Sequence, residues 1–343
     1  MKRILTFLVV GVTLVTACKK DKTPPSAPSV TTSALTNITT TSATAGGVIT
    51  SNGGSTITKS GIAWSKTNTT PTTSDSIISS TATSGSFTVN LANLDFGTTY
   101  YVRAFATNSI GTAYGDPLTL NTSNDTSKVR FTYMGQQVIY GVITSPTTGK
   151  KWMDRNLGAS AVATSLTDTA GYGHLFNWGR LADGHQLRTS GKTTTLSSTD
   201  NPGHSNFIYN DGSIVATGDW RDPQNDNLWQ GSTGINNPCP AGWHVPTKNE
   251  WAAEVSNTQV EGTATSGGIT NGNSAFNLLK LPYAGRRSQN SGNLVGATIG
   301  TTGSYWASTT STTDVWFLLF DSGGSPVTVG NRSVGSSVRC VKD

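Results

Sequence analysis

The chain has 343 residues and a formal net charge of +5, with charged residues at only 13% and Gly, Ser, Thr and Asn in abundance. Its length allows two domains of ordinary size. The composition suits extracellular β-rich modules with many turns and argues against a helical bundle, and the charge is too small and too scattered to imply nucleic acid as a partner.

Lys2 and Arg3 precede an apolar run from Ile4 to Val15, and Val15-Thr16-Ala17-Cys18 follows at once. The run is shorter than the roughly 20 residues of a comfortable transmembrane span, so 1–17 reads as a secretory signal ending in a lipoprotein box. The bland alternative is a cleaved signal with an incidental cysteine. The placing of Cys18 and the charged, proline-bearing tether at 18–27 favour lipidation of Cys18 and an outer-membrane lipid anchor. Lys19 to Lys22 partly resemble the surface-export signal of Bacteroidetes lipoproteins, which favours display on the cell exterior. With Cys18 given to lipid, Cys239 and Cys340 are left to form one disulfide, the simplest use of an even remainder in an exported protein.

Residues 28–123 carry strand signals. Ser86 to Leu91 and Thr99 to Thr107 alternate apolar and polar, with Asp95 to Thr98 as a turn between them, and Ala45 to Thr50, Ser60 to Ser65 and Thr112 to Gly115 fit further strands. Leu94 to Tyr114 resembles the last two strands of a fibronectin type III-like domain, in which a tyrosine near the start of the penultimate strand pins the corner. The resemblance implies an all-β sandwich with Trp64 as the core residue between the sheets, and such a domain is more often a spacer than a binder.

A polar linker, 124–128, leads into the second segment, 129–343. Val129 to Tyr133 and Gln137 to Ile143 read as a hairpin around Met134-Gly135. Cys239-Pro-Ala-Gly-Trp-His-Val-Pro-Thr-Lys-Asn-Glu-Trp251 is the densest run of constrained residues in the chain. Its prolines hold it extended up to Thr247, where Thr-Lys-Asn-Glu makes a capping-box helix start. This run resembles the signature of the Fibrobacter succinogenes major paralogous (FISUMP) domain, known from secreted and surface proteins of Bacteroidetes and Fibrobacteres. Gly149 to Gly158, Gly171 to Trp178, Leu281 to Arg286, Ser304 to Ser308 and Ser337 to Lys342 match further blocks of that family in order. The resemblance implies an α+β, loop-rich domain similar to C-type lectin-like and formylglycine-generating-enzyme-like folds, with a terminal strand over Ser337 to Val341. Val315 to Phe320 is a buried-strand candidate, with Pro326 to Val329 as its partner. The long polar stretch from Asp183 to Asn237 departs from the family.

Eight of the nine tryptophans lie in this second segment. Those inside the family blocks, Trp152, Trp178, Trp243 and Trp306, read as core. Trp220 and Trp229 sit in the polar stretch and are expected to be exposed, forming with Arg221, Asp222, Asn225 and Asp226 a binding surface that combines stacking faces with hydrogen-bonding groups. The four histidines share no metal-ligand spacing. Oxygen ligands at 219–226 could accept calcium, but without an EF-hand spacing or the calcium motif of sugar-binding lectins, so no cofactor is implied. There is no nucleophile elbow, and no carboxyl pair is indicated for glycosidase chemistry. The expectation is therefore a non-catalytic binding or adhesion module for a polysaccharide or a surface protein. The alternatives are a structural envelope component without a ligand and, more remotely, an enzyme on a formylglycine-generating-enzyme-like fold.

Overall fold

The computed structural model describes residues 24–210, 218–255 and 267–343. Cys18 and the signal segment lie outside the described residues. The chain divides between Asp125 and Thr126 into two compact units.

The first unit runs through β1 (Ser29–Thr36), β2 (Ala43–Ser51), β3 (Lys59–Ser65), β4 (Ser76–Ser80), β5 (Gly85–Leu91), β6 (Thr99–Thr107), β7 (Thr112–Tyr114) and β8 (Leu118–Asn121). One sheet has the order β1-β2-β5, the other β4-β3-β6-β7 with β8 also on β6. Ala43, Ala45, Ile49, Phe87 and Leu91 from the first sheet pack with Ile62, Tyr100, Val102, Ala104 and Leu120 from the second, giving an all-β sandwich. The Tyr100 hydroxyl accepts the Asp95 N–H at 2.7 Å, so the expected tyrosine pin holds the corner before β6. Trp64 does not fill the centre. It is the next-to-last residue of β3, so its half-buried ring lies at the rim, edge-on to Tyr100 at 5.4 Å, while Ile62 and Val102 take the middle. Strands β1 and β4 have no counterpart in the sequence reading. Both are edge strands dominated by Ser and Thr, with too few apolar residues to show an alternation.

The second unit comprises β9 (Lys128–Tyr133), β10 (Gln136–Thr144), β11 (Lys151–Met153), β12 (Lys192–Thr193), β13 (Phe207–Ile208), β14 (Trp243–His244), α1 (Lys248–Glu254), α2 (Gly272–Leu279), β15 (Gly303–Ser311), β16 (Asp314–Phe320), β17 (Val327–Gly330) and β18 (Val341–Lys342). The sheets are β14-β18-β11-β10-β9, β15-β16-β17 and the short parallel pair β12-β13. The expected hairpin is present as β9 and β10, turning at Met134-Gly135, where both residues have positive φ. The β16–β17 pair is also present.

The signature run positions several of these elements. Cys239 and Cys340 are joined, with Cα atoms 5.9 Å apart, so the run is tied to the segment that leads into β18. Thr247 caps α1, accepting from the Glu250 N–H, while Glu250 reaches back to the Thr247 N–H at 2.8 Å. His244 bridges outward from the same cap, with Nε2 3.0 Å from Glu250 and Nδ1 2.6 Å from Asp343, and Lys150 Nζ adds a contact to Glu250 at 3.0 Å. Trp251, on the first turns of α1, stacks on Trp152 at 4.6 Å.

The expected terminal strand is shorter than Ser337 to Val341. Strand pairing is regular only at Val341–Lys342, with Ser337 in an isolated bridge to Tyr305 and Arg339 turned inward. Arg339 is fully buried and donates to Asn156 Oδ1 (2.9 Å), Met153 O (2.8 Å) and Leu279 O (2.8 Å). Arg287 does similar work for the carbonyls of Gly292 and Leu187, and Arg180 for that of Asn206. Loop carbonyls excluded from water need donors, and a guanidinium can satisfy several at once.

Candidate functional site

The expected binding surface at 220–229 lacks its stacking faces, although Asp222 and Asp226 are exposed. Trp220 and Trp229 are both fully buried. Trp220 Nε1 donates to Trp178 O at 2.5 Å, and the Trp229 ring lies 5.9 Å from Trp178 and 6.2 Å from Phe176. Loops share this core with the strands, and the polar stretch contributes by sending its own large aromatics inward, each burying about 150 to 250 Å². The polar neighbours are largely engaged within the stretch. Arg221 lies 2.8 Å from Asp200 and also donates to the Pro223 carbonyl, Asn225 donates to Asp200 at 2.9 Å, and Asp226 pairs with the buried Arg332. Asp222 is exposed and precedes Pro223 through a cis bond. No group of three or more metal-binding side chains converges among the described residues.

The concave surface of this unit lies elsewhere. Tyr133, Val138, Tyr140, Arg155, Ser160 and His174 line a cleft of 400 Å³ beside the β9–β10 hairpin. A second cleft, of 460 Å³, continues from it and is lined by Thr169, Tyr172, Leu187, Arg188, Leu294 and Ile299. Gly158, Ser160 and His174 belong to both. On the other side Tyr133 and Met134 are shared with a third cleft, of 320 Å³, walled by Leu181, Asp183 and the Pro238-Cys239-Pro240 run. Shared wall residues place the three side by side along one face, as a segmented groove.

Its centre is built by close approach of two separate stretches, 149–158 and 171–178. The Leu157 carbonyl accepts the His174 N–H at 2.9 Å, and the Gly158 N–H donates to the Tyr140 hydroxyl at 3.0 Å. Gly158 has φ +79, and a Cβ there would stand 2.3 Å from His174 Nδ1. Gly173 is similarly confined, with φ +63 and a would-be Cβ 2.5 Å from the Leu157 carbonyl oxygen. Only glycine meets both demands.

The electrostatics are those of a neutral imidazole beside cations. Burial, and then the Arg188 charge, bring His174 down to about 4. Burial pushes the Tyr133 phenol well above its usual value, so it stays protonated, and it is hydrogen-bonded to His174 Nδ1 across 2.8 Å. Arg155 is engaged by Asp154 through two bonds, at 2.8 and 3.0 Å, and packs over Tyr140 at 4.9 Å. Arg188 packs over Tyr172 at 5.3 Å. The Ser160 hydroxyl, the nearest thing to a nucleophile in the groove, donates to the Ala170 carbonyl at 3.3 Å rather than to an imidazole.

A second imidazole, His185, pairs through Nδ1 with Asp183 at 2.7 Å, the arrangement of a catalytic dyad. Its Nε2 is occupied by the Asn177 N–H at 3.1 Å, it is wholly buried, and burial holds it down to about 4. It holds the loop together and has no site for a substrate proton.

No protein-family model matches the chain, and no curated protein sequence matches it. Among solved structures, the short sensor domain of the anti-sigma factor RsgI4 of Pseudobacteroides cellulosolvens is 18% identical over 29% of this chain and 98% of that one, with a TM-score of 0.22. A myokine is 20% identical over 29% of this chain and 100% of that one, with a TM-score of 0.23. Domains A168–A170 of titin are 24% identical over 29% of this chain and 32% of that one, with a TM-score of 0.21.

The sequence reading missed the groove because no contiguous stretch contains it. The signals that could have found it are the paired tyrosines of the hairpin, Tyr133 and Tyr140, and the Gly-Tyr-Gly-His run at 171–174.

Proposed function

We propose that the chain is a FISUMP-type lipoprotein, anchored through Cys18 to the outer membrane and facing the cell exterior, with the sandwich as spacer. Its second unit, on a C-type lectin-like frame, is a non-catalytic binding module for a glycan or a protein, and the three-cleft groove is its contact surface. The observation that carries this reading is the adjacency of the three clefts together with their apolar rim. Met134, Ile139, Leu181 and Leu294 line them, and they are four of the six large apolar side chains exposed among the described residues of this unit. Exposed apolar groups concentrated along one concave surface mark a contact site.

The non-catalytic part of the reading rests on the two imidazoles. Each is committed within the fold, His174 through Nδ1 to the buried Tyr133 hydroxyl and His185 through both ring nitrogens to Asp183 and the Asn177 N–H. A structural envelope component without a ligand is the second reading; the burial of Trp220 and Trp229 favours it only in removing the stacking faces first expected there.

The test is a glycan array and cell-surface pull-down with the lipid-free chain, wild type beside Ser160→Trp. Ser160 is exposed and lines both central clefts, so an indole there fills the groove without touching the core. Binding by the wild type that falls at least tenfold in the variant supports the groove. Binding that survives the variant moves the site elsewhere, and no binding by either protein leaves the structural reading in its place.

A further inference from the structure

The cleft around Arg188 differs from the rest of the groove in its unused donors. Arg188 spends Nε on the Gly173 carbonyl at 2.8 Å and Nη2 on the Ala284 carbonyl at 2.7 Å. No carboxylate lies within ion-pair distance of it among the described residues, and Nη1 has no hydrogen-bond partner there yet is not buried. The guanidinium is held by carbonyls that fix its plane but do not neutralise its charge. The Tyr172 hydroxyl, and those of Thr169 and Thr189, line the same cleft and likewise carry no partner among the described residues. The lining of the two central clefts contains no Asp or Glu. Two neighbouring acids are bonded elsewhere, Asp154 to Arg155 and Asp168 to the Thr164 and Ala170 N–H groups, although the Asp168 charge still acts on Tyr172.

A fixed, uncompensated guanidinium beside free hydroxyl donors is suited to an oxyanion, because Arg presents planar paired donors to carboxylate or sulfate. The apolar walls, Leu187, Leu294 and Ile299, and the neighbouring cleft give length for more than one unit of a chain. Resting on the groove reading above, we propose that the ligand is an acidic polysaccharide, with one acidic group received by Arg188 and the Tyr172 hydroxyl. Free hydroxyl donors favour a sugar chain over an acidic peptide, which would need its backbone amides satisfied as well.

The test uses the lipid-free chain in titration calorimetry against polygalacturonate and its methyl ester, dextran sulfate and dextran, and poly-L-glutamate. These arms separate carboxylate from sulfate and charge from sugar. The expected result is binding of at least one acidic glycan at least tenfold tighter than its neutral counterpart, weakening as salt rises. Arg188→Gln should reduce that binding at least tenfold and Tyr172→Phe severalfold, while Lys151→Gln, an exposed lysine outside the groove, leaves it unchanged. Because Arg188 also supports the Gly173 and Ala284 carbonyls, thermal melting of each variant is recorded, and Tyr172→Phe with the salt dependence of the wild type decide if Arg188→Gln unfolds. Equal binding of acidic and neutral glycans, or binding indifferent to both substitutions, overturns the acidic ligand and leaves the groove. Tighter binding of poly-L-glutamate replaces the sugar with an acidic peptide. Failure to bind any of the five overturns the inference, and the groove reading then stands or falls by the Ser160→Trp comparison.

Discussion

Gly158 and His174 are in contact at a distance that admits no side chain on Gly158: a Cβ there would be 2.3 Å from the imidazole Nδ1. Two separate stretches of sequence meet at this point, and the groove opens on either side of it. Gly203 provides a comparison, since it has a similar φ of +73 with nothing within 4 Å. Gly203→Ala should therefore show only the left-handed backbone penalty, about 1 to 2 kcal/mol. Gly158→Ala should cost more, because the imidazole must also move. Urea unfolding of the two variants measures the difference; equal losses would mean that the contact carries no constraint.

The His244–Glu250–Asp343 cluster makes stability depend on pH in a defined direction. The Glu250 bond, against the opposing effect of burial, raises His244 above 6.5. A raised histidine contributes fully below its unfolded value and loses its contribution as pH rises through the higher folded value. Glu250 behaves oppositely. Burial would raise it, but the bonds from His244, the Thr247 N–H and Lys150 outweigh that and hold it at about 2, so its contribution is present above 4.5 and fades as pH falls towards 2. The stability gap between wild type and His244→Gln should thus be widest between about pH 4.5 and 6.5 and shrink on both sides. A gap that does not vary with pH would show that His244 acts only by packing.

Trp220 and Trp229 are core residues, so their removal should be read in stability. Each Trp→Ala substitution leaves a cavity and should cost about 3 to 5 kcal/mol, with Trp220 also leaving the Trp178 carbonyl without its indole donor. Chemical denaturation checks this. Variants that retain wild-type stability while losing ligand binding would restore the exposed surface that the sequence led us to expect.

What could be read in the sequence was local or covalent. The capping box at Thr247, the Met134-Gly135 turn, the Tyr100 corner and the Cys239–Cys340 pair depend on near neighbours or on counting, and all are present. What could not be read is set by distant approach. The inward turn of Trp220 depends on Trp178, forty-two positions away, and Arg339 is drawn off its strand by carbonyls of Met153 and Leu279. A polar stretch with few apolar residues gives no periodicity from which to infer that its tryptophans point inward. The groove is hidden for the same reason, since its walls come from the hairpin, 155–160, 169–174, 187–189 and 294–299.

The disulfide closes a span of 101 residues. Constraint of the unfolded chain over such a span gives an expected loss of up to about 5 kcal/mol for the Cys239→Ala/Cys340→Ala double variant. Guanidinium denaturation of the variant beside oxidised and reduced wild type measures it. The reduced wild type should match the variant closely, and a variant as stable as the oxidised protein would remove the bond from the account of this unit.

The central claim, that the groove between the hairpin and the Gly158–His174 contact is the recognition surface, is tested most directly by hydrogen–deuterium exchange on the lipid-free chain with and without saturating polygalacturonate. Slowed exchange at 133–140, 156–160, 172–174 and 187–189, with 220–229 and the sandwich unchanged, is the result this account predicts. Protection confined to the sandwich or to 220–229 would contradict it, while no protection at all counts against polygalacturonate as the ligand and leaves the groove to the Ser160→Trp comparison.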